Sequence, residues 1–535
     1  MTGVELVILL LLLVVALALV ARRVATPLPV LLALAGMALG LVRHALPQVP
    51  ALQLPPRLVL TAALPPLLTY AAFSVPLGAF RANLRPITLL AVGLVFVTMA
   101  ASATAMHLVH PATPWAAAFV LGAIVAPPDA VASVSVGGRL GLQNRLVTIL
   151  EGEGLVNDAT AFVLYQLAVE AVVTGRFTWG QAALELLLVA PLGVIVGLAV
   201  GWASVVARRH LDDPMLETTL SLVVPYLAYV VAERVGGSPI LAVVALGFLL
   251  RQHAPDIGAP RTRLTQATVW RTLDFIITGL VFMLVGIQIG EITVRARIGP
   301  TVLAPAAAVC ATVVLVRLAW MHVVPPGASH LAARGSGQLA SWRERTVLGW
   351  AGPRGVVSLA LALAIPPLTA DGRPFPEREL LVLVSVAVIA TTLVVQGLTL
   401  APLMRWLGVG DRLAPARQEE RARAAASRAG RRRLEGLVAE GRLEPAVSAE
   451  AGRWLREGLG VDSGAGYTEV RRAVLAALDA ERDAVTRLRD DGQIDADTAR
   501  RLETALDEED VRQRAQAERA PDERDRKERA ADERA

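Results

Sequence analysis

Up to about Leu413 the chain alternates apolar stretches of roughly twenty residues with short loops that carry arginine. A helix of that length crosses a bilayer, so the pattern predicts about thirteen spans. They fall near 4–21, 28–43, 57–76, 86–108, 115–137, 146–172, 182–206, 216–234, 238–251, 269–290, 301–323, 346–367 and 380–405. The stretches at 28–43 and 238–251 are short, and the second is compatible with a re-entrant piece. The first has no basic segment ahead of it and is followed by Arg22 and Arg23, which suits a first span rather than a signal peptide.

Beyond Leu413 almost every second or third residue is charged. Residues 416–441 read as a strongly charged helix. Residues 467–492 read as an amphipathic one, with Val470, Val474, Leu475, Leu478, Val485 and Leu488 at mostly helical spacings. A further helix follows, with Asp495 or Asp497 as its N-cap. The reading is an all-α polytopic membrane protein. It has a transmembrane domain at 1–410, a cytoplasmic helical regulatory tail at 411–515 and a disordered charged end at 516–535.

Orientation follows from the arginines, because loops rich in Lys and Arg stay cytoplasmic. The richer loops fall on one side if the N-terminus is outside and the tail inside, as an odd number of spans requires. Two spans are interrupted at similar depth, by APPDAV at 126–131 and AGPRGVVS at 351–358. Proline removes a backbone donor and glycine loosens a helix, so both should unwind and expose carbonyls and amides. They are the fifth and twelfth spans, an odd offset that fits inverted repeats with two unwound helices crossing at a midplane site.

Composition agrees with the pattern. With 54% hydrophobic and 4% aromatic residues and a mean hydropathy of +0.53, a soluble globular protein is excluded. The single cysteine, Cys310, allows neither a disulfide nor a thiolate cluster. The tail mixes both charge signs, so the chain's net charge of +5 does not indicate a nucleic-acid partner.

Charges inside apolar stretches are costly and point to function. Asp129 follows two prolines in the fifth span; Glu151, Glu153 and Asp158 lie early in the sixth, and Arg354 lies in the twelfth. Asp158 shares a helical face with Phe162 and Tyr165. Hard monovalent cations take oxygen ligands, and a broken helix supplies carbonyls. A carboxylate partly removed from water favours neutralisation, by a proton or by a cation but not by both. Competition at one carboxylate, with alternating access, makes an exchanger. Glu153 and Arg354 each need a partner in low dielectric.

Together with LPPLL at 64–68, EGLVND at 153–158, LDFIITGLVFMLVGIQI at 273–289, GPRGVVSLALAL at 352–363 and VVQGLTLAPL at 394–403, these stretches resemble the bacterial branch of the cation:proton antiporter-1 family. That family includes the sodium/proton exchangers, and the resemblance covers the whole membrane part in order. It implies that Asp158 carries the cation and the proton, with Asp129 helping to shape the site. It implies one-for-one electroneutral exchange, since Asn157 stands where electrogenic relatives have a second aspartate. It implies that Glu153 pairs with Arg354, and that the protein is a homodimer. A core from 86–172 and 301–405 would then move against a dimerisation part built from the rest.

Departures from the family pattern matter. Pro127 or Pro128 replaces a threonine, and Gly154 replaces a serine after the glutamate, so two oxygen ligands are missing. Thr160 is a substitute, although a helical threonine more often bonds its own backbone. The expected substrates are Na⁺, then K⁺ or Li⁺, and H⁺, in the bacterial inner membrane, with no cofactor.

Other charges carry less. His107 and His110 belong to an outer loop, as do Glu291 and Arg295; Glu233 and Arg234 end the eighth span. Asp274 pairs with Arg271 on one helix, Gln396–Gly397 marks a packing point, and Arg317 needs snorkelling or a carboxylate. A membrane aspartyl-type enzyme using Asp129 and Asp158, or a channel, stays open as an alternative. No nucleotide-binding P-loop appears, so a proton gradient rather than ATP supplies the energy.

Overall fold

The structure is a computed structural model. It describes residues 3–24, 26–45, 59–131, 133–134, 141–176, 178–211, 213–254, 259–295, 299–331, 341–410, 414–457, 467–495 and 498–513. The expected disordered end at 516–535, and Asp497, lie outside the described residues.

Helices occupy the apolar stretches: α1 Gly3–Val24, α2 Leu28–Ala45, α3 Val59–Ser74, the short α4 Leu77–Ala82, α5 Leu84–Val109 and α6 Trp115–Val125. They continue with α7 Asn144–Thr174, α8 Trp179–Arg208, α9 Pro214–Arg234, α10 Pro239–Gln252, α11 Pro260–Arg295 and α12 Pro300–Leu331. After α13 Trp342–Trp350 and α14 Val356–Leu363 comes α15 Arg378–Leu407. Among the described residues seven helices are long and apolar enough to cross a bilayer, and four shorter apolar helices accompany them. The stretch near 238–251 is one of the short ones. It is a regular helix, α10, capped by Ser238 and started by Pro239, and it packs along α8 and α3.

Lipid offers no hydrophobic drive between helices, so close packing rests on small residues. The longest contact, between α2 and α11, is built this way. Gly36 and Gly40 lie four apart on α2 and face Gly286 and Gly290 on α11; a Cβ on Gly36 would sit 3.0 Å from the Gly286 Cα. Gly197 of α8 meets the backbone at Ala242 of α10 in the same manner. Gly397 of α15 packs against Val30 of α2, where a Cβ would approach Val30 to 2.6 Å. Glu291, read as an outer-loop residue, is instead 7% exposed within α11, because that helix runs a further turn beyond the apolar stretch.

The tail holds α16 Ala414–Ala439, α17 Pro445–Glu457, α18 Tyr467–Asp490 and a helix at 498–513, α19. Val470, Val474, Leu478 and Val485 are buried against α16, α17 and α19, as their spacing requires. The Asp495 carboxylate accepts from the Thr498 amide at 2.6 Å and caps α19. This bundle docks on the membrane domain through Arg251–Glu503 at 3.0 Å and a two-pronged Arg263–Asp507 pair at 2.6 and 3.0 Å. Arg500 bonds the Tyr70 hydroxyl and, at 3.0 Å, Ser74 of α3. Asp274 sits within electrostatic reach of Arg500 and bonds Thr278 one turn on, rather than pairing with Arg271.

Candidate functional site

Both interrupted stretches unwind, and they bond to each other. Helix α6 ends at Val125, α13 ends at Trp350, and residues 126–129 and 351–355 are non-helical. The Asp129 amide donates to the Pro353 carbonyl at 2.7 Å, and the Arg354 guanidinium donates to the Ala126 carbonyl at 2.6 Å. Each broken segment therefore satisfies groups that the other has freed, as a backbone in hydrocarbon demands. The Arg354 amide is held by Thr392 at 3.1 Å.

Asp129 is accommodated by this geometry. Its carboxylate accepts from the Val131 amide at 2.9 Å and lies at the N-terminus of α14, against Gly355, where the helix dipole favours an anion. Gly355 has an ordinary φ of −132°; what it supplies is the missing Cβ, which would otherwise overlap the Asp129 carboxylate.

Helix α7 crosses directly behind the break. Asn157 is fully buried and donates to the Pro128 carbonyl at 2.8 Å, while its own Oδ1 has no hydrogen-bond partner. Gly154 lies against Ala130, where a Cβ would come within 2.8 Å of the alanine methyl. A serine at this position therefore does not fit without movement of Ala130. Asp158 follows one turn on, half-buried and within electrostatic reach of Asp129. It makes no hydrogen bond among the described residues. Thr160 donates to the Val156 carbonyl of its own helix at 3.1 Å, the ordinary behaviour of a helical threonine.

The expected Glu153–Arg354 pair is not formed. Glu153 pairs with Arg317 of α12, through a short contact to Nη1 and a bond of 2.9 Å to Nη2, and both side chains are 2% exposed. Arg317 also donates to the Leu348 and Ala351 carbonyls at 3.2 and 3.3 Å, capping the C-terminal end of α13. It reaches these groups by passing over Gly352, where a Cβ would lie 2.6 Å from its Cδ. Arg354 is 1% exposed and has no carboxylate within ion-pair distance among the described residues; the Ala126 carbonyl holds its guanidinium instead. The sequence signal for Arg317 was its isolation in an apolar span, which left snorkelling or an unnamed carboxylate as the explanation.

Among the described residues no group of three His, Cys, Asp or Glu side chains could hold a multivalent metal. His107 and His110 both engage Thr113 in the connection between α5 and α6.

Residues 8–406 match the family model described as sodium/hydrogen exchanger, transmembrane. An uncharacterized Na⁺/H⁺ exchanger of Mycobacterium tuberculosis is 34% identical over 504 residues, covering 90% of this chain and 91% of that protein. A sodium, potassium, lithium and rubidium/H⁺ antiporter of Bacillus subtilis is 32% identical, covering 73% of this chain and 60% of that one. The fold is similar to that of the sodium proton antiporter MjNhaP1 of Methanocaldococcus jannaschii, with a TM-score of 0.57 at 19% identity, over 76% of this chain and 98% of that one. The chain, a multi-pass membrane protein, thus belongs to the sodium/hydrogen exchanger family of cation/proton antiporters, which are secondary transporters and not enzymes.

Proposed function

We propose that exchange is carried by competition of a monovalent cation and a proton for Asp158. One observation carries this reading. Among the described acidic and amide side chains of 129–158, Asp129, Glu153 and Asn157 are each engaged in bonds that hold the crossing together, and Asp158 is left without one. A half-buried carboxylate in that position gains by being neutralised, and either ion serves.

The surrounding donors are oxygens, which suits Na⁺, K⁺ or Li⁺. The Asn157 Oδ1 is a buried acceptor without a partner, the Asp129 carboxylate acts electrostatically on Asp158, and Thr160 keeps its lone pairs after donating to Val156. Asn157 is neutral, so the site holds one fewer carboxylate than an electrogenic exchanger would, and one proton leaves for each cation bound. Na⁺ is the preferred substrate of the proposal, and no cofactor enters it.

Alternating access would come from a core of 86–172 and 301–405 rocking against the rest, which would form the dimer contact. The full proposal has thirteen spans in inverted repeats, the N-terminus outside and the tail at 411–515 in the cytoplasm of a bacterial cell. The glycine-locked α2–α11 pair supports a rigid half against which a core can move.

The test is fluorescence dequenching in everted vesicles with Na⁺, K⁺ and Li⁺ in turn. Asp158→Asn abolishes cation-dependent proton movement while the protein stays folded, and wild-type exchange is insensitive to membrane potential. Retained exchange in Asp158→Asn would sink the carrier assignment, and a strong potential dependence would sink electroneutrality.

A further inference from the structure

Where the tail meets the membrane domain lies a cavity of about 170 Å³, distant in sequence from the transport site. Its walls come from the ends of α3, α8 and α10, the start of α11, and the tail helices α18 and α19. Among the described residues six arginines line it against two carboxylates, Glu503 and Asp507. Other acids hold some of these arginines from behind: Glu217 stands 3.9 Å from Arg208, Asp479 and Asp510 are 2.9 and 3.4 Å from Arg482, and Asp490 is 2.8 Å from Arg489. None of these four lines the cavity, so the lining itself carries more arginine than carboxylate.

Hydrogen bonding makes the same point independently. Four buried atoms on the cavity-lining residues have no partner: Nε of Arg208, Arg251 and Arg482, and Nε2 of Gln266. All four are donors. Arg208 is 8% exposed, and its contact to Glu217 is long, at 3.9 Å. Buried polar groups are as a rule bonded, and the acceptors that would satisfy these are those of an oxyanion. The pairs already present, Arg251–Glu503 and Arg489–Glu503 at 2.8 Å, show that the guanidiniums are set to grip oxygens across the junction.

Size limits the ligand. A cavity of about 150 Å³ takes a molecule as large as benzene, so this one admits a phosphate, a pyrophosphate or the phosphate head of something larger. We propose that the junction cavity binds a compact phosphate-bearing anion, either a free phosphate compound or a phospholipid headgroup, which bridges tail and membrane domain.

Full-length protein in neutral detergent is titrated with inorganic phosphate and with pyrophosphate by calorimetry, and thermal unfolding is followed in parallel. In a second arm, unfolding is compared in phosphatidylcholine nanodiscs with and without phosphatidic acid. The variant that decides is Gln266→Glu: it retains the oxygen that accepts from Arg208 at 2.7 Å, keeping the fold, and replaces the unpartnered Nε2 donor with an anionic oxygen. Arg482→Gln removes one guanidinium, and Arg81→Gln, at an exposed arginine of α4 that does not line the cavity, is the control. Saturable binding at one anion per chain, with affinity lower by about tenfold or more in Gln266→Glu and Arg482→Gln and unchanged in Arg81→Gln, is the expected result. Stabilisation by phosphatidic acid alone, lost in the same variants, identifies a lipid source. Absence of binding or stabilisation by all three probes, or equal binding by Gln266→Glu, overturns the proposal.

Discussion

Replacing Arg317 by methionine keeps an unbranched apolar stem in α12 and removes the guanidinium. The Glu153 carboxylate is then left without its partner at 2% exposure, which costs roughly 3–5 kcal/mol. Two carbonyls at the end of α13, Leu348 and Ala351, also lose their donor, at about 1 kcal/mol each. The single substitution should therefore destabilise by roughly 5–7 kcal/mol, and Glu153→Gln by less because the amide still accepts from Arg317. Only the charge–charge part is recovered in the double variant, so the cycle between Glu153→Gln and Arg317→Met should give a coupling of about 3 kcal/mol. The same cycle with Arg354→Met should stay below about 1 kcal/mol, since no direct bond joins Arg354 to Glu153. Reversible denaturation of purified protein in mixed micelles, followed by tryptophan fluorescence, measures all three. If Arg317→Met lies within about 1 kcal/mol of the parent, or if the Arg354 cycle couples as strongly as the Arg317 cycle, the buried-pair assignment is wrong.

Gly355→Ala places a methyl on the Asp129 carboxylate and must push it off the α14 terminus; vesicle exchange should fall more than about tenfold while expression and folding persist. Normal exchange in that variant would show that the Asp129–α14 contact is dispensable. In the tail, burial pushes the Glu481 carboxyl up from 4.5 to about 7. The folded state then binds the proton more tightly than the unfolded chain, so this group's stabilisation is present below pH 4.5 and is lost as pH rises toward about 7. Hydrogen exchange in α16 and α18 should accordingly quicken between about pH 5 and about pH 8, and Glu481→Gln should flatten that dependence.

Much of the architecture is legible locally. Spans declare themselves because about twenty apolar residues have few other uses, and the breaks at 126–131 and 351–358 declare themselves because proline and glycine cannot continue a helix in lipid without compensation. The amphipathic face of α18 was readable from Val470, Val474, Leu478 and Val485 for the same reason. Glu291 was misjudged because the end of a membrane helix is set by its packing neighbours, not by the last apolar residue.

Partnership was not legible. Glu153 needed a cation, and the sequence offered Arg317 and Arg354 on equal chemical terms; the choice depends on which reaches it, at separations of 164 and about 200 residues. Packing decided for Arg317 because Gly352 opens a path for its side chain, while Arg354 is committed to the Ala126 carbonyl. The docking of α19 on α10 and α11 is likewise invisible locally, since Glu503 and Asp507 differ in no local respect from the other tail acids. The apolar stretches, their two breaks and several of the buried charges could be read along the chain. Which buried charges neutralise one another could not, because a charge's partner is a matter of distance and distance is settled only when the helices pack.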